Sequence, residues 1–401
     1  MKKLITLLML SALLISQTTI AQGWTQQTSG STNNFSSLYF VDANTGWIPN
    51  GWDSMLSTTN GGNDWITQTI GLGPTIGFNS IKFINSSLGY AVGGDGIIAK
   101  TTDGGSTWVQ QTSSTTEHLF SVDFVDANTG WAVGWNGIIL NTTDGGNSWT
   151  TQTTATSEKL FSVDFVNNTI GWAVGDYGAI VNTTDGGSTW SLQTQPPDVY
   201  ALLSTFFVSP SNGWAVSVGG KIIHTTDGGS NWYIQSSGYS RLNSVYFTDA
   251  SIGWIVGDNG TILNTTNAGI SWNSQASGTS STLTAVCFPD ANIGYAVGDN
   301  GTILKYGDLT GATDILFSIN NKIIIYPNPI ETKAVLKINN DIQINNAELS
   351  IYDLHGKNVR KITNIRNHEV ELKRNGLNSG LYLYSLSDKN IIIFTGKFTI
   401  K

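Results

Sequence analysis

The sequence predicts an all-β chain: a seven-bladed β-propeller closed by the N-terminal strand, followed by a small β-sandwich. Three observations lead there. A Gly-aromatic pair recurs at Gly46-Trp47, Gly89-Tyr90, Gly130-Trp131, Gly171-Trp172, Gly213-Trp214, Gly253-Trp254 and Gly294-Tyr295, in steps of 43, 41, 41, 42, 40 and 41 residues. Forty-five glycines and 14 tryptophans against 12% charged residues describe a turn-rich β chain, since glycine weakens helices while aromatic and β-branched residues favour strands. Each period holds four short β-rich runs, and four strands per roughly 40 to 45 residues is the period of a propeller blade.

The best-formed unit shows the four runs. Leu119-Phe120-Ser121-Val122-Asp123-Phe124 is followed by Gly130-Trp131-Ala132-Val133-Gly134, then Gly137-Ile138-Ile139-Leu140, then the stretch after Trp149. Asp-Ala-Asn-Thr, Trp135-Asn136-Gly137 and Asp-Gly-Gly separate them and supply the positive φ angles of tight hairpins.

The third hairpin carries Thr-Thr-Asp/Asn-Gly-Gly-x-x-Trp, ending at Trp65, Trp108, Trp149, Trp190 and Trp232, with a variant ending at Trp272. It resembles the Asp-box, [Ser/Thr]-x-Asp-x-Gly-x-[Ser/Thr]-Trp, and Thr101 to Trp108 fits every position. Asp103, Asp144, Asp185 and Asp227 are expected to accept backbone N–H bonds across the turn, with Trp108, Trp149, Trp190 and Trp232 packed beneath. These are structural assignments. The seventh unit lacks the motif, but Gly23-Trp24-Thr25-Gln26-Gln27-Thr28 reads as the missing outer strand, with Trp24 41 residues before Trp65. An N-terminal strand there joins the ends of the ring and removes an exposed sheet edge.

Residues 1–21 read as a signal peptide: Lys2 and Lys3, an apolar run from Leu4 to Ile15, and small or polar residues up to Ala21, after which cleavage is expected. The run is shorter than the roughly 20 residues of a membrane-spanning helix, so no direct membrane insertion is expected. The propeller spans 22–308, a linker 309–321, and a second domain 322–401. A lone cysteine, Cys287, excludes intramolecular disulfides and a Cys-rich metal site. It occupies a repeat position filled elsewhere by Tyr39, Lys82, Asp123, Asp164 and Tyr246, and reads as structural.

The repeat unit as a whole resembles the photosystem II assembly and stability factor family, over residues 23 to 306. In photosynthetic members the resemblance implies a docking platform for assembly intermediates on an arginine-bearing face. Here the propeller has one arginine, Arg241. Residues 322–401 resemble the C-terminal sorting domain of type IX secretion cargo through Tyr326-Pro327-Asn328-Pro329, Leu349 to Asp353 followed by Gly356-Lys357, Leu377 to Tyr382 with Gly380, and Gly396-Lys397-Phe398. That resemblance implies recognition by an outer-membrane translocon and its sortase, with the cargo released or attached to the surface. Alternating Leu349, Ile351 and Leu383 suggest the sandwich.

From residue 22 to 308 there are 20 acidic and 6 basic residues, a net charge of −14, against +4 for 309–401. Nucleic acid is therefore an unexpected partner. A sialidase would need three arginines and a Tyr/Glu pair, which one arginine, Glu117 and Glu158 do not supply. A polysaccharide-cleaving glycoside hydrolase using propeller aspartates remains an alternative, as does an envelope assembly factor. Isolated His118 and His224 give no metal site, and no cofactor is expected.

The residues favour binding without catalysis, for an extracellular protein or glycan. In a four-stranded blade the second-to-third strand turns and the blade-to-blade connections share one face, opposite the Asp-boxes. The turns present Trp52, Trp135, Asp176, Tyr177, Asp258 and Asp299 there, and the connections present Glu117, His118, Glu158, Lys159, Tyr239 and Arg241. Aromatics among carboxylates suit protein hot spots or sugar stacking.

Overall fold

A computed structural model describes residues 22–73, 76–308, 323–326, 328–338, 344, 346–353, 357–388 and 391–401. The signal segment 1–21, the linker 309–321, Pro327 and Gly356 lie outside the described residues. The chain divides into two units, Met1–Leu309 and Thr310–Lys401. Among the described residues no helix is long and apolar enough to cross a membrane.

The first unit consists of seven four-stranded antiparallel sheets in sequence order. Blade 3 is typical, with strands Leu119–Phe124, Gly130–Gly134, Ile139–Thr142 and Thr150–Gln152, numbered first to fourth in this order. In blade 7 the fourth strand is Gln22–Gln27, paired with Ile303–Asp308 in the register Trp24 opposite Tyr306. The first strand of each blade touches the first strands of the blades before and after it, and those of blades 1 and 7 are likewise neighbours. First strands are therefore innermost and fourth strands outermost.

The Gly-aromatic pair has a packing cause. A Cβ on Gly130 would sit 2.5 Å from the Phe124 ring, so only glycine lets that ring lie across the second strand. Phe124 in turn stacks on Tyr90 of blade 2, ring centroids 3.8 Å apart. The same stack joins Trp47 to Phe83 at 3.5 Å, Trp131 to Phe165 at 3.4 Å, Trp172 to Phe207 at 3.5 Å and Tyr295 to Phe40 at 3.7 Å. These rings are almost fully buried, and they give each pair of adjacent blades its own apolar cluster. Such large rings each remove on the order of 150–250 Å² from water, which makes the stack the main cohesion between blades.

The second unit is a two-sheet sandwich. Ile323–Tyr326, Lys333–Ile338 and Glu369–Lys373 form one sheet; Asn358–Ile365, Ala347–Tyr352, Gly380–Asp388 and Ile391–Ile400 form the other. One core built from Leu336, Leu372, Leu349, Ile351, Leu386 and Phe398 joins them. Leu383 departs from its expected inward place: it is 44% exposed, while Tyr382, Tyr384 and Leu386 carry the buried face of that strand. The alternation is real, but its phase is set by the aromatics flanking Leu383 rather than by Leu383.

Candidate functional site

Backbone bonding sorts the loops onto two opposite ends of the blades. At one end, Gly145 N–H in the Asp-box of blade 3 donates to Asn128 O of the first hairpin, 2.9 Å away. At the other, the second-to-third strand turns bond to the blade connections: Trp135 N–H to His118 O at 2.9 Å, Asp176 N–H to Lys159 O at 2.8 Å, Asp258 N–H to Arg241 O at 3.0 Å and Gly301 N–H to Asn33 O at 2.7 Å. Gly134, which precedes this turn, lies so close that a Cβ would stand 2.0 Å from His118 O.

The Asp-box carboxylates are consumed by their own turns. Asp144 accepts from Ser148 N at 2.9 Å, Ser148 Oγ at 2.6 Å and Thr142 Oγ1 at 2.8 Å. These bonds, led by the serine hydroxyl, pull its pKa down to about 2. Asp103, Asp185 and Asp227 make the equivalent bonds and are likewise lowered. Trp108, Trp149, Trp190 and Trp232 are buried behind them.

The opposite face presents the candidate binding residues in three groups. Trp52, 69% exposed, lies alone over Gly77 on blade 1. Trp135 stands in a cluster: His118 is 4.3 Å from its ring, Lys159 Nζ lies 5.6 Å over it, and Lys159 Nζ is 4.0 Å from Asp176. Tyr177, at the next turn, is 74% exposed and sits at φ +51°. On blade 6, Arg241 Nε donates to Asn243 at 2.8 Å, and Asn243 Nδ2 donates to Asp258 at 3.2 Å. Asp299 is used locally, its carbonyl accepting from Thr302 Oγ1 at 2.7 Å. Glu117 and Glu158 are half-buried on the connections into blades 3 and 4. Tyr239 differs from its expected exposure, because its ring packs into the apolar cluster between blades 5 and 6.

Sequence reading missed two features. The repeat position of Cys287 forms an axial ring completed by Phe206. Lys82 Nζ lies 5.2 Å over Tyr39 and bonds Asp123 at 2.8 Å, while Asp123 and Asp164 accept the N–H groups of Phe165 and Phe207 at 2.8 and 2.7 Å. Burial, then the Asp123 charge, raises the Asp164 pKa to about 7, and burial pushes the Cys287 thiol up. The second missed feature is Phe120 and Phe161, 5.3 Å apart beside Trp135, together with Leu203 at the same repeat position. Their sequence positions look like ordinary strand residues. Among the described residues no group of three or more His, Cys, Asp or Glu is placed to hold a metal ion.

In the second unit, Asn328 Oδ1 accepts Thr399 N and Oγ1 at 2.9 and 3.0 Å, fastening the start of the motif to the last strand. Tyr326 pairs through its backbone with Val335, while Pro329 is exposed. Lys357 N–H donates to Asp353 Oδ1 at 3.0 Å. Gly380 pairs with Ile400, Tyr382 donates to Asn378 O at 3.0 Å, and Lys397 is exposed opposite Leu383.

Comparison with known proteins gives two family matches. The model described as photosynthesis system II assembly factor YCF48 matches residues 16–116, 108–194, 151–236 and 233–307, and the secretion system C-terminal sorting domain matches residues 324–401. A comparison with curated proteins gives no match. Among solved structures, "YCF48 bound to D1 peptide" is 20% identical, covering 71% of this chain and 94% of that one, with a TM-score of 0.60. YCF48 from Cyanidioschyzon merolae is 18% identical over 72% and 99%, TM-score 0.60. The WD40 propeller domain of Doa1, 10% identical over 73% and 99%, has a TM-score of 0.62. At these identities the structural likeness shows a propeller fold.

Proposed function

This chain belongs to the photosynthesis system II assembly factor YCF48 family, and from that premise we propose that its propeller is a non-enzymatic binding scaffold for an extracellular protein. The sorting domain at 324–401 marks it for type IX secretion, to the cell surface or the extracellular space. Its partners in export are then the translocon and its sortase, and whether the propeller stays attached or is released follows from that last step.

One observation carries the binding reading. The Asp-box end uses its carboxylates inside its own turns, whereas the opposite end leaves Trp52, Trp135 and Tyr177 exposed among carboxylates. Large rings kept in water by a folded chain are the usual anchors of protein interfaces. The description of one YCF48 structure as bound to a D1 peptide supports a protein partner over a glycan. Arg241, already bonded to Asn243, is the one propeller arginine, so the partner differs in charge from one that an arginine-rich face would take.

The test is capture of cross-linked extracellular partners by the wild-type chain and by a Trp52→Ala, Trp135→Ala double variant. The variant should fold normally and lose capture. Unchanged capture removes this face as the site. A parallel comparison of medium, outer membrane and periplasm, with and without residues 322–401, tests export; a truncated chain that still leaves the cell contradicts the sorting role.

A further inference from the structure

Seven equivalent repeat positions, one residue past the start of the inner strand in blades 2 to 7 and at Ser36, ahead of the strand, in blade 1, divide the ring into two sectors. In four blades the side chain caps the next inner strand: Ser36 Oγ donates to Phe78 O at 2.9 Å, Asn79 Nδ2 to Leu119 O at 2.8 Å, Asn243 Nδ2 to Leu283 O at 2.9 Å and Thr284 Oγ1 to Phe35 O at 2.6 Å. In blades 3, 4 and 5 the position holds Phe120, Phe161 and Leu203, which have no donor. The carbonyls of Leu160, Leu202 and Leu242 therefore receive no such cap. Three hydrogen bonds have been exchanged for half-buried apolar surface at the rim, a trade that folding alone does not reward.

The same three blades differ in two further ways. Their rim carries Trp135, Tyr177 and Tyr200 on successive blades, with exposures of 38%, 74% and 63%, whereas on the other four blades Trp52 stands alone, at 69%. Tyr177 holds φ +51° where the sister turns place Asp95, Asn136, Asn259 and Asn300, residues that tolerate the left-handed region far better than a bulky aromatic. And the connections entering these blades each carry a carboxylate, Glu117, Glu158 and Asp198, while the connections entering the other four blades carry none. The local cations are already engaged: Lys159 with Asp176 and the Trp135 ring, Lys221 with the carbonyls of Pro197 and Asp198.

We propose that the rim of blades 3 to 5 is a groove for an extended polypeptide segment bearing arginine or lysine. The aliphatic stems lie on Phe120, Phe161 and Leu203, and the cationic heads sit between the aromatic rings and Glu117, Glu158 and Asp198. This deepens the reading of the face as a binding surface and rests on it.

The probe is a fluorescent ten-residue peptide of alternating arginine and glycine, titrated into the full chain, with the glutamate-glycine peptide and xylohexaose as comparators. Phe161→Asn and Tyr177→Asn place residues that sister blades already hold at those positions, so the fold is kept, as a melting curve verifies. The arginine peptide should bind, weaken with salt, and lose at least tenfold in affinity to the combined variant. Absence of binding, equal binding of the glutamate peptide, or affinity indifferent to the combined variant overturns the groove. Variant-sensitive binding of xylohexaose in place of the peptide overturns the polypeptide assignment but leaves the face as a binding surface.

Discussion

The phenol of Tyr295 in blade 7 donates to the carbonyl of Gly61 in blade 1 across 3.1 Å, a contact spanning 234 residues of chain. It repeats between other blades as Trp47 Nε1 to Gly104 O at 2.8 Å, Tyr90 Oη to Gly145 O at 2.9 Å and Trp172 Nε1 to Gly228 O at 3.1 Å. The Asp-box turn is thus a socket for the aromatic of the preceding blade. Tyr295→Phe keeps the stack on Phe40 and removes the donor, while Lys305 Nζ, 2.8 Å from the same carbonyl, remains. A loss of about 0.5–1.5 kcal/mol is expected in urea denaturation.

Phe161 and Phe165 lie on one strand and should respond differently to substitution. Phe165→Ala removes a ring stacked 3.4 Å from Trp131 and should cost about 3–5 kcal/mol. Phe161→Asn removes a half-buried ring but points a donor toward the Leu202 carbonyl, as Asn79 does toward Leu119. Its effect should stay within about 1 kcal/mol of zero. A denaturation midpoint for each variant checks the pair.

Acid sensitivity should trace to the Asp-boxes. Asp144 is lowered to about 2 from the ordinary 3.8, so its contribution is complete above that ordinary value and is lost as pH falls through about 2. Asn267 fills the same place in blade 6 without a charge, accepting Thr265 Oγ1 at 2.9 Å and Ser271 N at 3.0 Å. Asp144→Asn should therefore fold and lose stability less steeply between about pH 4 and pH 2. A melting-temperature series over that range is the measurement; an unchanged slope contradicts the assignment.

The axial ring should act in the opposite sense. Asp164 is raised to about 7, so its favourable state is full below the ordinary 3.8 and is lost as pH rises through about 7. Asp164→Asn keeps the acceptor for Phe207 N–H and removes the charge beside Asp123. At pH 8 the variant should be more stable than wild type by about 1–2 kcal/mol, less than the full shift would give because the side chain is only half-buried. The difference should shrink towards pH 4.

Much of the fold was legible because its causes are local and repeated. The Gly130 and Phe124 contact recurs in every blade, so the chain prints it as a Gly-aromatic period, and each Asp-box carries its own bonding within a few residues. Trp24 could be assigned to the last blade because it keeps the spacing of the other box tryptophans. The candidate groove was not legible in this way. Phe120 and Phe161 are indistinguishable by pattern from core residues, and only the contacts of Asn79 and Asn243 with the following blade reveal what is missing at their positions. Leu383 and Tyr382 are adjacent on one strand, and composition alone did not choose which of them faces the core.

The pairing of Gln22–Gln27 with Ile303–Asp308 also fixes a timetable. Thr25 bonds to Lys305 O, 280 residues further along, so the strand made first waits for the partner made last. At synthesis rates of roughly 5–20 residues per second that interval is about 15 to 60 s. During it blade 7 has no sheet to complete, and residue 308 must emerge before the propeller can finish. The ring of a nascent chain built this way stays open until residue 308 has been made, however early the other six blades form.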